Sequence, residues 1–244
     1  MGLLRYGSAA VAVTLMGLFG MLALAVSNAQ GVVLSGSGLS ADVRATITPT
    51  GSPTHGRTPM ALAVEGTVNP AADGSASLLT AVALRLDRHL QTTTAGLATC
   101  TSDLTGIYPA QARKRCGDAQ VGSGSVTTAY SFAPEVPPMV LSEPVLFFNA
   151  AGRSRRLMYR YTPEPLGPAS SAATAQGFQI PLGQSGGLPK AFRVRFGKTW
   201  TDHGERRSYL SGQCDGGGLS TRVTLTFRSG TLTGTLPTSC TRGS

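Results

Sequence analysis

Apolar and polar residues alternate with a period of two along most of the chain. ADVRATIT places Val43, Ala45 and Ile47 on one side and Arg44, Thr46 and Thr48 on the other, the pattern of a half-buried strand. MALAVEGTV continues it through Met60, Leu62 and Val64, and KAFRVRFG sets Phe192, Val194 and Phe196 against Arg193 and Arg195. RRLMYRYT puts Leu157, Tyr159 and Tyr161 opposite Met158 and Arg160, while VGSGSVTTAYSF, VLFFN and GFQIPL read as further strands. RVTLTFRSGTLTGTL predicts a hairpin. Val223, Leu225 and Phe227 point inward, Ser229-Gly230 turns, and Leu232 and Leu236 lie on the return strand. The segment from Leu78 to Leu90 fits two periods: Val82, Leu84 and Leu86 suit a strand, whereas Leu79, Val82, Ala83, Leu86 and Leu90 suit a helix face. Its neighbours on both sides read as β, which favours the strand.

One stretch breaks the alternation. Between Cys100 and Cys116, Pro109 suits a first helical position, AQARKR is made of strong helix formers, and Gly117 can end the helix. Many short strands with Gly/Pro punctuation and one short helix near 109–116 predict an all-β, antiparallel sandwich of jelly-roll or immunoglobulin-like type. No internal repeat or composition break calls for two domains, so residues 41–240 are expected to form one sandwich and 241–244 a tail. The Gly/Ser-rich stretch 30–40 reads as a flexible N-terminal segment, and the loops Pro49–Pro59 and Pro163–Gly177 as long and Pro-rich.

The N-terminus adds a compartment. Arg5 is the only charge before Asp42, and an uncharged apolar run from Ala9 to Val26 leads into Ser27-Asn28-Ala29. That layout predicts a secretory signal peptide over 1–29 with cleavage after Ala29; the alternative is an uncleaved anchor. The remaining chain, from Gln30, is about 215 residues, enough for one large all-β domain. It holds four cysteines, Cys100, Cys116, Cys214 and Cys240. In an oxidising compartment these predict disulfides. Of three possible connectivities, Cys100–Cys116 with Cys214–Cys240 closes local loops. The absence of any C-x-x-C and the scatter of His55, His89 and His203 argue against zinc, and no cofactor motif occurs.

The net charge is +9, falling by one with Arg5, and almost all of it is arginine. Arg193, Arg195, Arg222 and Arg228 alternate with core positions, and Arg153, Arg155, Arg156 and Arg160 surround the turn GRSRR. If these strands are neighbours, they make one cationic face for phosphate or carboxylate groups; otherwise the arginines only solvate and protect edges. Trp200, the single tryptophan, could stack on a sugar beside Tyr209 or fill the rim of the core. Tyr159, Tyr161 and Phe192 fall on core parity, which argues against base stacking and hence against nucleic acid.

Catalytic signals are weak. Gly183-Gln184-Ser185-Gly186-Gly187 matches G-x-S-x-G, but a nucleophile elbow needs a helix after the serine. Gly186, Gly187, Pro189 and then an alternating strand follow instead. TDHGERR reads as a solvated turn and Cys214-Asp215-Gly216-Gly217-Gly218 as a disulfide-anchored turn rather than a calcium or phosphate loop. The twelve acids are scattered, and none stands in an apolar setting that would raise its pKa.

CTSDLTGIYPAQARKRCGDAQVGSGSV, VLFFNAAGRSRRLMYRYT, SYLSGQC and TFRSGTLTGTLPTSC together resemble a group of uncharacterised secreted proteins of actinomycete-type bacteria. The shared pattern is A-x-A-R-x-x-C-G (Ala110, Ala112, Arg113, Cys116, Gly117), V-G-x-G (Val121, Gly122, Gly124), F-N (Phe148, Asn149) and S-Y-L-x-x-x-C (Ser208, Tyr209, Leu210, Cys214), with Cys100 before and Cys240 at the end. The likeness runs from about Leu84 onward, is poor over Pro163–Gly177, and implies export and the disulfide pattern without implying an activity. The expected function is therefore a secreted cell-envelope or extracellular domain, non-catalytic, that binds an anionic or glycan wall polymer. A secreted hydrolase and a structural or protein-interaction domain are the alternatives.

Overall fold

The computed structural model describes residues 31–36, 38–53, 56–69, 77–104, 106–150, 155–160, 169–174, 176–182, 187–213 and 218–238, with the side chains of 155–160 and 169–174 left out. In chain order the elements are β1 (Val32–Gly36), β2 (Leu39–Pro49), β3 (Thr58–Asn69), β4 (Leu79–Leu86), β5 (Leu90–Thr92) and α1 (Pro109–Cys116). After a single 3-10 turn come β6 (Gln120–Tyr130), β7 (Met139–Asn149), β8 (Arg155–Arg160), β9 (Ala169–Thr174), β10 (Gly177–Pro181) and β11 (Leu188–Phe196). The last are β12 (Thr199–Asp202), β13 (Glu205–Ser208), β14 (Leu210–Gly212), β15 (Leu219–Phe227) and β16 (Gly230–Thr238).

Every pairing between these strands is antiparallel, in the order β1-β2-β3-β11-β6-β7-β8-β9-β10-β4-β15-β16. The long sheet folds back on itself, so that β16 comes to lie beside β1 and β2. Val43, Val64, Phe192 and Val194 from one half then share a single core with Val82, Leu84, Val223 and Leu225 from the other. This is the antiparallel sandwich that the alternation predicts. The segment after Leu78 is strand, as expected, and the terminal hairpin buries Val223, Leu225, Phe227, Leu232 and Leu236. Its turn falls at Arg228-Ser229, one residue earlier than the sequence suggests, because Phe227 pairs with Gly230.

The stretch 30–40 corrects the expectation of a loose segment. Val32 to Gly36 pair with Leu39 to Val43, and Leu34 and Leu39 are buried. Pairing along β2 and the burial of Leu34 and Leu39 set this segment against β16.

Close packing explains the glycines of the central strands. A Cβ on Gly66 would stand 2.5 Å from the Phe192 ring, and one on Gly122 2.5 Å from the Phe196 ring. The rings occupy that space instead, and the pleat turns the alternate residues Ser123, Ser125 and Thr127 of β6 outward. β7 is buried on both sides: Val145 and Phe147 join the main core, while Leu146 and Phe148 meet Leu104, Ala112 and Cys116. A strand covered on both faces reads as an unbroken apolar run, which is why VLFF shows no alternation. The cover is α1 and its approach, tied down by the Cys100–Cys116 disulfide. Gln111 also accepts the Tyr108 backbone N–H at 3.1 Å, capping the first turn. Residues 1–29, where a signal peptide is expected, and Cys214 and Cys240 lie outside the described residues.

Candidate binding groove

The outward face of β2, β3, β11 and β6 carries two polar rows fixed by strand register. Arg44 stands opposite Glu65, Glu65 opposite Arg193, and Arg193 opposite Ser125. One step along, Asp42, Thr67, Ala191 and Thr127 line up in the same way. Together they line a groove of about 520 Å³, with Gly31 also on its wall. Ala191 is the small residue between Thr67 and Thr127 in its row.

Glu65 is the hub. Arg193 donates to its Oε2 through Nε at 2.9 Å and Nη2 at 2.7 Å, and Arg44 Nε donates to its Oε1. Asn69 Nδ2 donates to Asp42 Oδ2 at 3.0 Å and Ser40 Oγ at 3.3 Å. Burial by itself favours the neutral form of Glu65, but the hydrogen bonds and charges of Arg193 and Arg44 outweigh it and hold the carboxyl below its usual range. A carboxylate held ionised in this way is unsuited to donate a proton. The two acids Asp42 and Glu65 cancel the charges of Arg44 and Arg193, so the groove offers hydroxyls and oriented, paired charges rather than a strong field. Such a surface suits a ligand rich in hydroxyl groups.

The pairing makes stability depend on pH. A glutamate with a lowered folded pKa stabilises the fold above its unfolded value, about 4.3, and loses that contribution as pH falls through the folded value. Comparison of wild type with Glu65→Gln by thermal melts from pH 7 downward should show a gap of about 1 kcal/mol or less at neutral pH, because the pairs are partly exposed. That gap closes as the pH drops through and below the ordinary glutamate range. A gap that widens with acid contradicts the assignment.

Of the arginines singled out from the sequence, the four whose side chains are described do not gather on one plate. Arg193 lies in the groove and Arg195 one step along the same strand. Arg222 pairs with Arg85 on β15 and β4, across the core on the outer face of the other half, and Arg228 sits at the β15–β16 turn. Alternation alone places each of them outward, but the strand order separates β11 from β15. Arg153 and the side chains of Arg155, Arg156 and Arg160 lie outside the described residues. Trp200 packs partly buried against the core and donates its indole N–H to the Ala95 carbonyl at 3.2 Å.

TDHGERR is the tight β12–β13 hairpin, with His203 and Gly204 at φ 49° and 82°. Arg207 Nε lies 2.9 Å from Asp202 within it. Ser185 lies outside the described residues; the next element after it is the strand β11, where a nucleophile elbow has a helix.

Two groups were not foreseen. Glu143 on β7 is buried and accepts hydrogen bonds from Thr128 Oγ1 at 3.2 Å and from the Tyr130 hydroxyl. Asp87 joins β4 to β15, accepting the N–H of His89 at 2.9 Å and both the N–H and the hydroxyl of Ser220 at 3.1 and 3.0 Å. Burial opposes its ionisation, but those hydrogen bonds prevail and lower its pKa. Among the described residues, no three His, Cys, Asp or Glu side chains gather as a metal site.

Fold and groove define the chain as an all-β sandwich with a disulfide-tethered helix and a polar groove on one outer face. A scan against protein-family models finds no match, and a search of curated proteins finds none either.

Proposed function

We propose that the protein is an exported, non-catalytic domain that binds a wall polymer at the cell envelope through the β2–β3–β11–β6 groove. The observation that carries this reading is the register-matched set Arg44–Glu65–Arg193–Ser125, flanked by Thr67 and Thr127. It supplies paired charges and hydroxyls over an extended strand face, with no nucleophile and base set against each other. Export is supported by the N-terminal layout and is compatible with the Cys100–Cys116 bond.

The test is co-sedimentation of the chain from Gln30 with purified sacculi at low and high salt. Binding is expected at both, weaker at high salt where charge contributes. Arg193→Ala should reduce affinity about tenfold, the equivalent of ~1.4 kcal/mol, because it removes a donor from the groove and frees Glu65 to repel anions. Failure to pellet at either salt contradicts the proposal.

A further inference from the structure

On β11 the outward residues Arg193 and Arg195 are two positions apart, about 7 Å along the strand, and they meet different neighbours. Arg193 faces Glu65 on β3, whereas Arg195 faces Ala63, beyond which stands Thr46 on β2. A methyl group occupies the place that would hold a second carboxylate. Among the described residues, Arg195 has no ion pair. On its other side it faces Ser123 of β6, as Arg193 faces Ser125.

Beyond Phe196 the chain turns through Gly197 to Lys198. Arg195 and Lys198 then line a second hollow of about 340 Å³, together with Gln120, Ser123 and three glycines. One of these, Gly117 at the end of α1, has nothing within 4 Å of where a Cβ would stand. No Asp or Glu lines the hollow.

We infer that this hollow is an oxyanion subsite that reads a phosphate or carboxylate group on the same polymer whose hydroxyl-rich part occupies the Glu65 groove. The inference rests on the groove reading. A guanidinium presents a planar fork suited to two oxygens of one anion, the Lys198 ammonium adds a second charge, and Ser123 and Gln120 add neutral donors. The neighbouring groove has its charges cancelled and the hollow does not, so the two read different parts of one ligand. Ser123 and Ser125 form a continuous edge between them. The polymer implied is a hydroxyl-rich chain bearing anionic groups, with the anion set about one strand repeat from the neutral part.

The probes are purified sacculi before and after hydrofluoric acid treatment, which cleaves phosphodiester-linked polymers and leaves the glycan strands. The variants are Arg195→Gln, Lys198→Gln and, as the groove control, Arg193→Ala, each checked by its melting curve to be folded at the assay temperature. If the anion is a phosphodiester, wild type binds untreated sacculi about tenfold more tightly than stripped sacculi. Arg195→Gln and Lys198→Gln then bind both like wild type on stripped sacculi. If the anion is a carboxylate of the glycan or its peptides, wild type binds both alike and the two variants weaken both about tenfold, which also supports the subsite. The subsite is overturned, and the groove kept, if Arg195→Gln and Lys198→Gln bind like wild type everywhere while Arg193→Ala loses affinity for both. Both readings fall if wild type binds neither preparation.

Discussion

Phe196→Ala is expected to destabilise the protein by about 3–5 kcal/mol, the range for deleting a large aromatic from a close-packed core. Phe196 is 1% exposed. Its ring centroid lies 4.8 Å from that of Phe147 on β7, 4.3 Å from Phe178 on β10 and 6.1 Å from Tyr209 before β14. These strands come from both halves of the sandwich, so the neighbours cannot all close on the void at once. The ring also fills the space over Gly122, and its loss leaves β6 without the surface that seats it. Because β6 presents Ser123, Ser125 and Thr127, the same variant should weaken polymer binding as well as stability. Equilibrium urea unfolding checks the first part; a loss below about 1 kcal/mol would mean that the core repacks freely around the site. Phe196→Leu, which keeps most of the volume, should cost much less.

The second large effect is expected at the disulfide. Removing the Cys100–Cys116 bond, with a sequence separation of 16, should destabilise the fold by roughly 3 kcal/mol through the freedom returned to the unfolded chain. The local consequence is larger than the global one. α1 has eight residues, too few to persist without tertiary support, and it covers Leu146 and Phe148 on the outer side of β7. Cys100→Ser with Cys116→Ser should therefore lower the melting temperature and speed amide exchange in 97–119 far more than in β2 and β3. The double substitution is a cleaner probe than a reductant, which would act on every disulfide at once. Gly117 lines the Arg195 hollow, so the contribution of that hollow to binding untreated sacculi should suffer while binding at Glu65 persists. Equal exchange rates with and without the bond would contradict this account.

The elements that can be read along the chain are those whose cause is local. Alternation marks Val43 to Ile47, Phe192 to Phe196 and Val223 to Phe227 as strands, and Pro109 with AQARKR marks the helix, because each pattern is fixed by nearest neighbours. The groove is not local. Glu65 and Arg193 are 128 residues apart, and they meet only because β11 inserts between β3 and β6. Parity shows that both point outward; it says nothing of which strand lies alongside. The same gap leaves the arginines looking like one plate when β11 and β15 lie on opposite faces. Glu143 is hidden for another reason. It shares inward parity with Val145 and Phe147, but a charged residue next to Pro144 reads as a loop edge until Thr128 and Tyr130 are seen to supply its donors. Trp200 finds its partner in the carbonyl of Ala95, 105 residues away, which sequence pattern cannot indicate.

The central claim is that one outer face, β2–β3–β11–β6, receives the polymer. Backbone amide chemical shifts of the isotopically labelled chain from Gln30, recorded with and without soluble fragments released from sacculi, test it most directly. The account predicts perturbations concentrated at Asp42, Glu65, Thr67, Ser125, Thr127 and Arg193, extending to Arg195 and Lys198, with Arg85, Arg222 and Arg228 unmoved. Perturbations centred on the Arg85–Arg222 face, or none at saturating fragment, would contradict it.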